Sequence, residues 1–187
     1  MNSLKTNQGL DEKNSFIIRN TAGTYSSVCL LHSQELGYQK DYSIKFSGED
    51  ASGIFKTFAG SIVFDEQNLA ASTFNVTIDV ASINTGNGMQ NKHAKGAEWF
   101  DAEKYPQIVF KSSKISKAGS GWQTTGTLEM RGVKKEVTIP FTFVPKGNDA
   151  VFSGTFNVNR SDFGIGKPAT GAAAMIKLEV YVPVTKK

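Results

Sequence analysis

Apolar and polar residues alternate one by one along most of the chain from residue 42 onwards. A period of two places successive side chains on opposite faces of a strand, so each such segment is typical of a strand with one buried face. Tyr42, Ile44 and Phe46, for example, would share one face. Eight segments show this pattern, over about residues 42–47, 54–64, 74–80, 107–115, 122–130, 135–144, 151–159 and 174–184.

The alternation stops between residues 83 and 106, which is the one long connection and lies between the third and fourth predicted strands. Residues 89–97 contain neither proline nor a β-branched residue, and Gly96 stands near their end. This composition predicts one short helix within residues 86–104. A long patterned interruption between strands is typical of a functional loop, a lid or a crossover.

The other connections are short turns, which favours antiparallel neighbours in an up-and-down barrel or a sandwich. Closure removes the exposed edges that long strands otherwise present. We therefore predict an all-β, eight-stranded antiparallel barrel with the short helix in its long connection. Pro140 and Pro183 fall at strand positions, which indicates a bulge or an edge there.

Residues 1–37 show no clear alternation, so we divide the chain into an N-terminal extension, 1–37, and a barrel domain, 38–187. The start of the sequence has no apolar stretch typical of a signal peptide. No apolar run reaches the ~20 residues that a membrane-spanning helix needs. From the residues we expect neither a signal peptide nor a transmembrane segment.

Charge and composition argue against several classes of function. The net charge is +4, and the basic residues are spread along the chain without clustered arginines among aromatics, so a nucleic-acid partner is not indicated. Cys29 is the single cysteine, and the two histidines, His32 and His93, lack neighbours in metal-ligand spacing. No nucleophile–base–orienter set or phosphate-binding loop is present, so we predict no enzyme, no metal and no cofactor.

Four motifs in order resemble the YceI-like family. They are Gly53-Ile54-Phe55-Lys56-Thr57-Phe58-Ala59-Gly60-Ser61-Ile62, then Trp99 to Pro106 after His93, Thr127 to Lys135 around Met130-Arg131-Gly132-Val133, and Asn159-Arg160-Ser161-Asp162-Phe163-Gly164-Ile165-Gly166. The resemblance covers roughly residues 42–184. It implies a lipocalin-like barrel that holds an amphiphilic isoprenoid lipid of quinone or polyprenyl type, for transport, storage or sequestration. It also implies a periplasmic or secreted location and a possible homodimer. Because this sequence shows no signal peptide, a cytoplasmic location stays open.

The apolar strand faces have two interpretations. From the residues alone, a core filled by side chains is favoured, which would suit a structural or protein-interaction barrel without a ligand. The resemblance reverses this preference and implies a lipid-binding interior. The candidate ligand-binding residues are Phe46, Phe58, Ile62, Val76, Ile78, His93, Trp99, Phe100, Phe110, Phe141, Phe143 and Phe156.

Residues of the connections and one strand glycine carry more specific expectations. His93 would make a polar contact at the barrel mouth or cap loop carbonyls, and Trp99 with Phe100 would either plug the mouth or line it. Arg160 would pair with Asp162 to fix the Gly-rich loop. The alternative is that Arg160 or Arg131 contacts an anionic or carbonyl head group. Gly154, between large neighbours, would leave a gap for the lipid tail, so Gly154→Leu should evict lipid without unfolding the protein.

Overall fold

The structure, a computed structural model, describes residues 35–49 and 51–186. This part of the chain contains one α-helix, α1 (Gly88–Lys95), four short 3₁₀ turns and eleven strands. The strands are β1 (Glu35–Tyr38), β2 (Ser43–Ser47), β3 (Ser52–Phe55), β4 (Phe58–Val63), β5 (Thr73–Asp79), β6 (Ile83–Asn84), β7 (Gln107–Ala118), β8 (Gly121–Met130), β9 (Val133–Lys146), β10 (Asp149–Asn159) and β11 (Met175–Lys186). The 3₁₀ turns are Leu69–Ala71, Val80–Ser82, Arg160–Phe163 and Gly171–Ala174.

The strands form a closed antiparallel barrel with eight strand positions. The strands β7 to β11 each fill one position, and the other three positions are each made of two short strands: β1 with β2, β3 with β4, and β5 with β6. The ring closes because β11 pairs with β1 and β2, which in turn pair with β4 and β3. The predicted eight-stranded barrel is confirmed.

The predicted strand at 54–64 is broken at residues 56 and 57, between β3 and β4. Two side-chain hydroxyls bond to the backbone groups that the interrupted ladder leaves free. The Ser82 hydroxyl accepts hydrogen bonds from the amides of Lys56 and Thr57, at 3.2 and 3.1 Å. The Tyr42 hydroxyl donates to the Lys56 carbonyl and accepts from the Phe58 amide.

The barrel begins at β1, which straddles the boundary that the sequence analysis places between residues 37 and 38. Leu36 is buried and stands in register with Ile62 of β4 and Lys186 of β11. Three residues assigned to the N-terminal extension therefore help to close the ring. Residues 1–34, including Cys29 and His32, lie outside the described part of the chain.

The helix α1 lies within the predicted segment and has the predicted end. The Asn87 side chain caps its start by accepting hydrogen bonds from the amides of Met89 and Gln90. Its last turn closes with a bond from the Gly96 amide to the His93 carbonyl. The short helix between the third and fourth strand positions is confirmed.

The two prolines that the sequence analysis singles out, Pro140 and Pro183, lie at irregular points of the ladders. Pro140 comes just before the residue pair Phe141–Gly154, at which the β9–β10 ladder ends. Pro183 lies in β11 opposite Val151, beside the jog from β1 to β2, where its carbonyl accepts a bond from the Gln39 amide. Both positions tolerate a residue without an amide proton.

Candidate functional site

A cavity of about 430 Å³ lies inside the barrel. Its wall is made almost entirely of aromatic and branched aliphatic side chains from all eight strand positions, with α1 and the following segment at one end. Small barrels are often filled by their own side chains, and this one is filled only in part. The interior can therefore accept an apolar ligand.

Eleven of the twelve residues proposed from the sequence line this cavity: Phe46, Phe58, Ile62, Val76, Ile78, His93, Trp99, Phe100, Phe110, Phe141 and Phe156. Phe143 is the exception. Its ring packs 4.9 Å from Phe64 and 4.8 Å from Phe152, between centroids, and lies outside the cavity wall. Phe143 belongs instead to a cluster of aromatic side chains that packs beneath the cavity, at the end of the barrel away from α1.

That cluster, which we call the aromatic floor, lies at the end of the barrel opposite α1, near the β7–β8 and β9–β10 turns. Phe64 is its centre, with ring centroids 5.6 Å from Trp122 and 5.4 Å from Phe152. Edge-to-face contacts of this kind stabilise a cluster beyond the area that it buries. The members of the aromatic floor are Phe64, Phe74, Trp122, Phe141, Phe143 and Phe152.

Other wall residues were missed by the sequence analysis. Leu128, Val158 and Val180, for example, lie on the alternating faces already identified and could have been added by the same pattern. Phe55 could not, because Phe55 and Phe58 both line the cavity although they are three residues apart. A strict period of two would put them on opposite faces, and the break between β3 and β4 brings them to the same one.

The other end of the cavity is covered by α1 and the residues that follow it. Gln90, His93 and Ala94 of α1 line it, with the first two exposed to solvent. The Phe100 ring packs edge-on against Phe55, at 6.0 Å between centroids. Trp99 and Phe100 both line the cavity, and they also belong to the segment that covers this end of it.

Arg160 organises the loop after β10, but not through the expected ion pair. Its guanidinium donates to the carbonyls of Ile165 and Lys167, each at 2.8 Å, and of Ala173 at 3.2 Å. It also lies 5.5 Å from the centre of the Trp99 ring. The predicted pairing of Arg160 with Asp162 is wrong, since the ion pairs among the described residues are Lys134–Glu129 and Lys177–Glu179.

Arg131 joins the two segments that cover this end of the barrel. Its guanidinium donates to the Ala97 carbonyl at 2.6 Å and to the Gly164 carbonyl. A backbone bond of 2.9 Å from the Gly166 amide to the Glu98 carbonyl adds a third link between the same segments. The loop after α1 and the Gly-rich loop after β10 therefore hold each other in place.

The cavity offers little chemistry beyond apolar contact. His93 and Arg160 are the side chains with an ionisable group among the described residues that line it. No group of three or more His, Cys, Asp or Glu side chains within residues 35–49 and 51–186 could hold a metal ion. On the outer face of β11, the hydrogen bond from Lys177 and its charge lower the pKa of Glu179, remote from the cavity interior.

Gly154 lines the cavity, but the predicted gap beside it is absent, because neighbouring backbone leaves no room for a side chain. A Cβ atom at this position would lie 2.8 Å from the Pro140 carbonyl oxygen, closer than real Cβ atoms come to backbone. Gly154→Leu would strain the backbone whether or not lipid fills the cavity. The test proposed from the sequence therefore does not separate a filled core from a ligand-binding one.

Comparison with known protein families identifies the family of this barrel. The YceI-like domain matches residues 36–185. The chain belongs to the YceI-like family. A UPF0312 protein of Vibrio parahaemolyticus is 37% identical over 142 residues, which cover 72% of this chain and 74% of the relative.

Solved structures share the barrel. The crystal structure of BcnA from Burkholderia cenocepacia matches with a TM-score of 0.73 and 31% identity, over 77% of this chain and 96% of BcnA. A polyisoprenoid binding domain from Saccharophagus degradans matches with a TM-score of 0.60, over 83% of this chain and 99% of that domain. At 12% identity, this second likeness is one of fold. Among the described residues of this YceI-like chain, no helix is long and apolar enough to cross a membrane.

Proposed function

We propose that this YceI-like protein is a non-catalytic binding protein that holds an amphiphilic isoprenoid lipid, of quinone or polyprenyl type, inside the barrel. The lipid would be carried, stored or sequestered there. The observation that supports this most directly is the cavity of about 430 Å³ with an apolar wall. Pockets of this size and lining are typical of sites for small apolar ligands.

The apolar wall of the cavity favours a ligand on energetic grounds. An isoprenoid tail in the cavity would gain ~0.8 kcal/mol for each CH₂ group that it buries against the apolar wall. Flat phenylalanine rings and branched aliphatic side chains suit a methyl-branched tail.

The filled-barrel alternative, a structural or protein-interaction module without a ligand, needs an interior closed by side chains. The aromatic floor provides such a core at one end of the barrel only. The solved polyisoprenoid binding domain with the same fold also favours the lipid. Export to the periplasm or beyond is part of the proposal and rests on the family. The homodimer stays a prediction, which light scattering of the purified protein can check.

Extraction and mass spectrometry of the purified protein test the proposal. Protein purified without detergent should yield an isoprenoid lipid in a constant ratio to protein. Heat-denatured protein from the same preparation serves as the control for loosely associated lipid. A preparation that yields no lipid, and that binds no added isoprenoid lipid after purification, would contradict the proposal.

A further inference from the structure

The apolar cavity contains one deeply buried polar side chain that the binding of an apolar tail does not use. Thr124 of β8 lines the cavity and is 2% exposed, and its hydroxyl has no hydrogen-bond partner among the described residues. Its neighbours in register are Ile115 of β7 and Ile139 of β9, which offer no polar side chain. An unpaired hydroxyl in such surroundings is destabilising unless something else bonds to it.

A second unpaired donor lies on the same face of the same strand. The indole Nε1 of Trp122 is buried without a partner among the described residues, and the ring stacks on Phe141 in the aromatic floor. Trp122 and Thr124 are two residues apart, so their side chains point to the same side of the sheet, roughly 7 Å from each other along the strand. Trp122 belongs to the aromatic floor and not to the cavity wall, so Thr124 is the unpaired side chain that the wall presents next to the floor.

The polar side chains at the α1 end of the cavity do not lack hydrogen-bond partners in the same way. Gln90 and His93 are exposed, so solvent can bond to them. The Arg160 guanidinium already donates to three carbonyl oxygens. The unmet hydrogen-bonding capacity of the cavity is therefore at the aromatic floor and not at the covered end.

We propose that Thr124 marks a hydrogen-bonding subsite for a carbonyl or hydroxyl oxygen of the bound lipid. The lipid lies with this oxygen deep in the barrel and its tail towards α1. The oxygen belongs to a neutral group, because the ionisable side chains that line the cavity, His93 and Arg160, are at the other end. A carboxylate or phosphate against the aromatic floor would be buried without a counter-charge, at a large cost.

This inference rests on the proposed function. Two probes with the same carbon skeleton distinguish failure of the subsite from failure of lipid binding. The first probe is farnesylacetone, an isoprenoid methyl ketone, and the second is the hydrocarbon of the same skeleton without oxygen. Both are delivered from cyclodextrin to the full chain freed of its own lipid. The wild-type protein should bind the ketone about two- to tenfold more tightly, the gain of one hydrogen bond.

The variant Thr124→Val keeps the shape of the side chain and removes the hydroxyl. It should bind the two probes with equal affinity. Its melting temperature without lipid should be equal to or above that of the wild type, since an unpaired buried group is gone. Thr124→Ser, which retains the hydroxyl, should keep the preference for the ketone. So should the matched control Thr127→Val, an exposed position on the same strand.

A spectroscopic measurement keeps the inference testable if the valine variant folds poorly. Farnesylacetone labelled with ¹³C at its carbonyl should show, in the wild-type protein, the shift of a hydrogen-bonded ketone relative to the same probe in hexane. Equal binding of the two probes by the wild type, or an unshifted carbonyl resonance, would overturn the subsite and leave lipid binding in place. If the wild type binds neither probe, the proposed function fails as well.

Discussion

Gly60 in β4 shows how one residue can be required by the backbone of a neighbouring strand. Its φ angle is +139°, and a Cβ atom there would lie 2.7 Å from the Val76 Cα and still closer to the Asn75 carbonyl oxygen. The residue is in register with Val76 of β5, so the two strands approach closely at this point. Glycine permits both the backbone angle and the approach.

We therefore expect Gly60→Ala to lower the free energy of unfolding by about 2 kcal/mol or more, because backbone strain and a steric clash act together. Gly119→Ala is the matched control. Gly119 also has a positive φ, +56°, but no atom within 4 Å of the added Cβ. The free energy of unfolding of that variant should fall by only ~1 kcal/mol, which is the cost of a positive φ angle for alanine. Chemical denaturation of both variants checks the difference, and equal losses would show that the close approach does not matter.

At the scale of elements, the strand β1 decides where the barrel starts. A protein that begins at Glu35 should unfold cooperatively, since it keeps every described strand. A protein that begins at Gln39 lacks β1 and the buried Leu36, and its free energy of unfolding should fall by ~2–5 kcal/mol. It would also leave free edges on β4 and β11. Thermal unfolding followed by circular dichroism compares the two proteins. Equal melting temperatures would mean that β1 does not contribute to closure.

The two segments that cover the α1 end of the barrel depend on Arg131. Arg131→Met keeps most of the side-chain length and removes both donors to Ala97 and Gly164. We expect the Gly166 amide to exchange its hydrogen faster, and the free energy of unfolding to fall by roughly 1–2 kcal/mol. Lys134→Met is the control, because Lys134 makes an exposed ion pair with Glu129, worth ~0–1 kcal/mol. Unchanged exchange at Gly166 would argue against the link.

At the scale of the whole molecule, the central question is whether the cavity holds lipid, and Val180 offers a test that Gly154 does not. Val180 lines the cavity and stands opposite Gly154 in the β10–β11 ladder. A larger side chain at Val180 would extend from the wall into the cavity of about 430 Å³. The variant Val180→Trp should therefore fold and block the path of a lipid tail.

We expect lipid that co-purifies with the Val180→Trp protein to fall several-fold, with little change in the melting temperature of the lipid-free form. Overpacking of a filled core would instead cost ~1–3 kcal/mol. Tyr181→Trp is the control, since Tyr181 is exposed on the opposite face of β11. Mass spectrometry of extracted lipid and thermal unfolding give the two measurements. A destabilised Val180→Trp protein with unchanged lipid content would contradict a lipid-filled barrel.

Local pattern in the sequence was enough to predict the eight strand segments from residue 42 onwards, their apolar faces and the helix. The strand β1 was missed, because residues 1–37 show no clear alternation. These features follow from neighbouring residues: alternation specifies which side chains share a face, and the composition of residues 89–97 with Gly96 near their end specifies the helix. Eight of the nine proposed site residues that lie on strands line the cavity for the same reason. Phe143 does not, because its position on an inward face says nothing about its depth along the barrel.

The remaining features depend on contacts between residues far apart in the sequence. The break after Phe55 reflects the hydroxyls of Ser82 and Tyr42, and Arg160 bonds to carbonyls that only the folded loop brings near it. The cavity is the difference between the space that eight strands enclose and the volume of the side chains that point inward. Thr124 looks like any strand threonine until the fold surrounds its hydroxyl with apolar groups. Enclosed volume and unpaired polar groups are properties of the closed ring, and no local pattern encodes them.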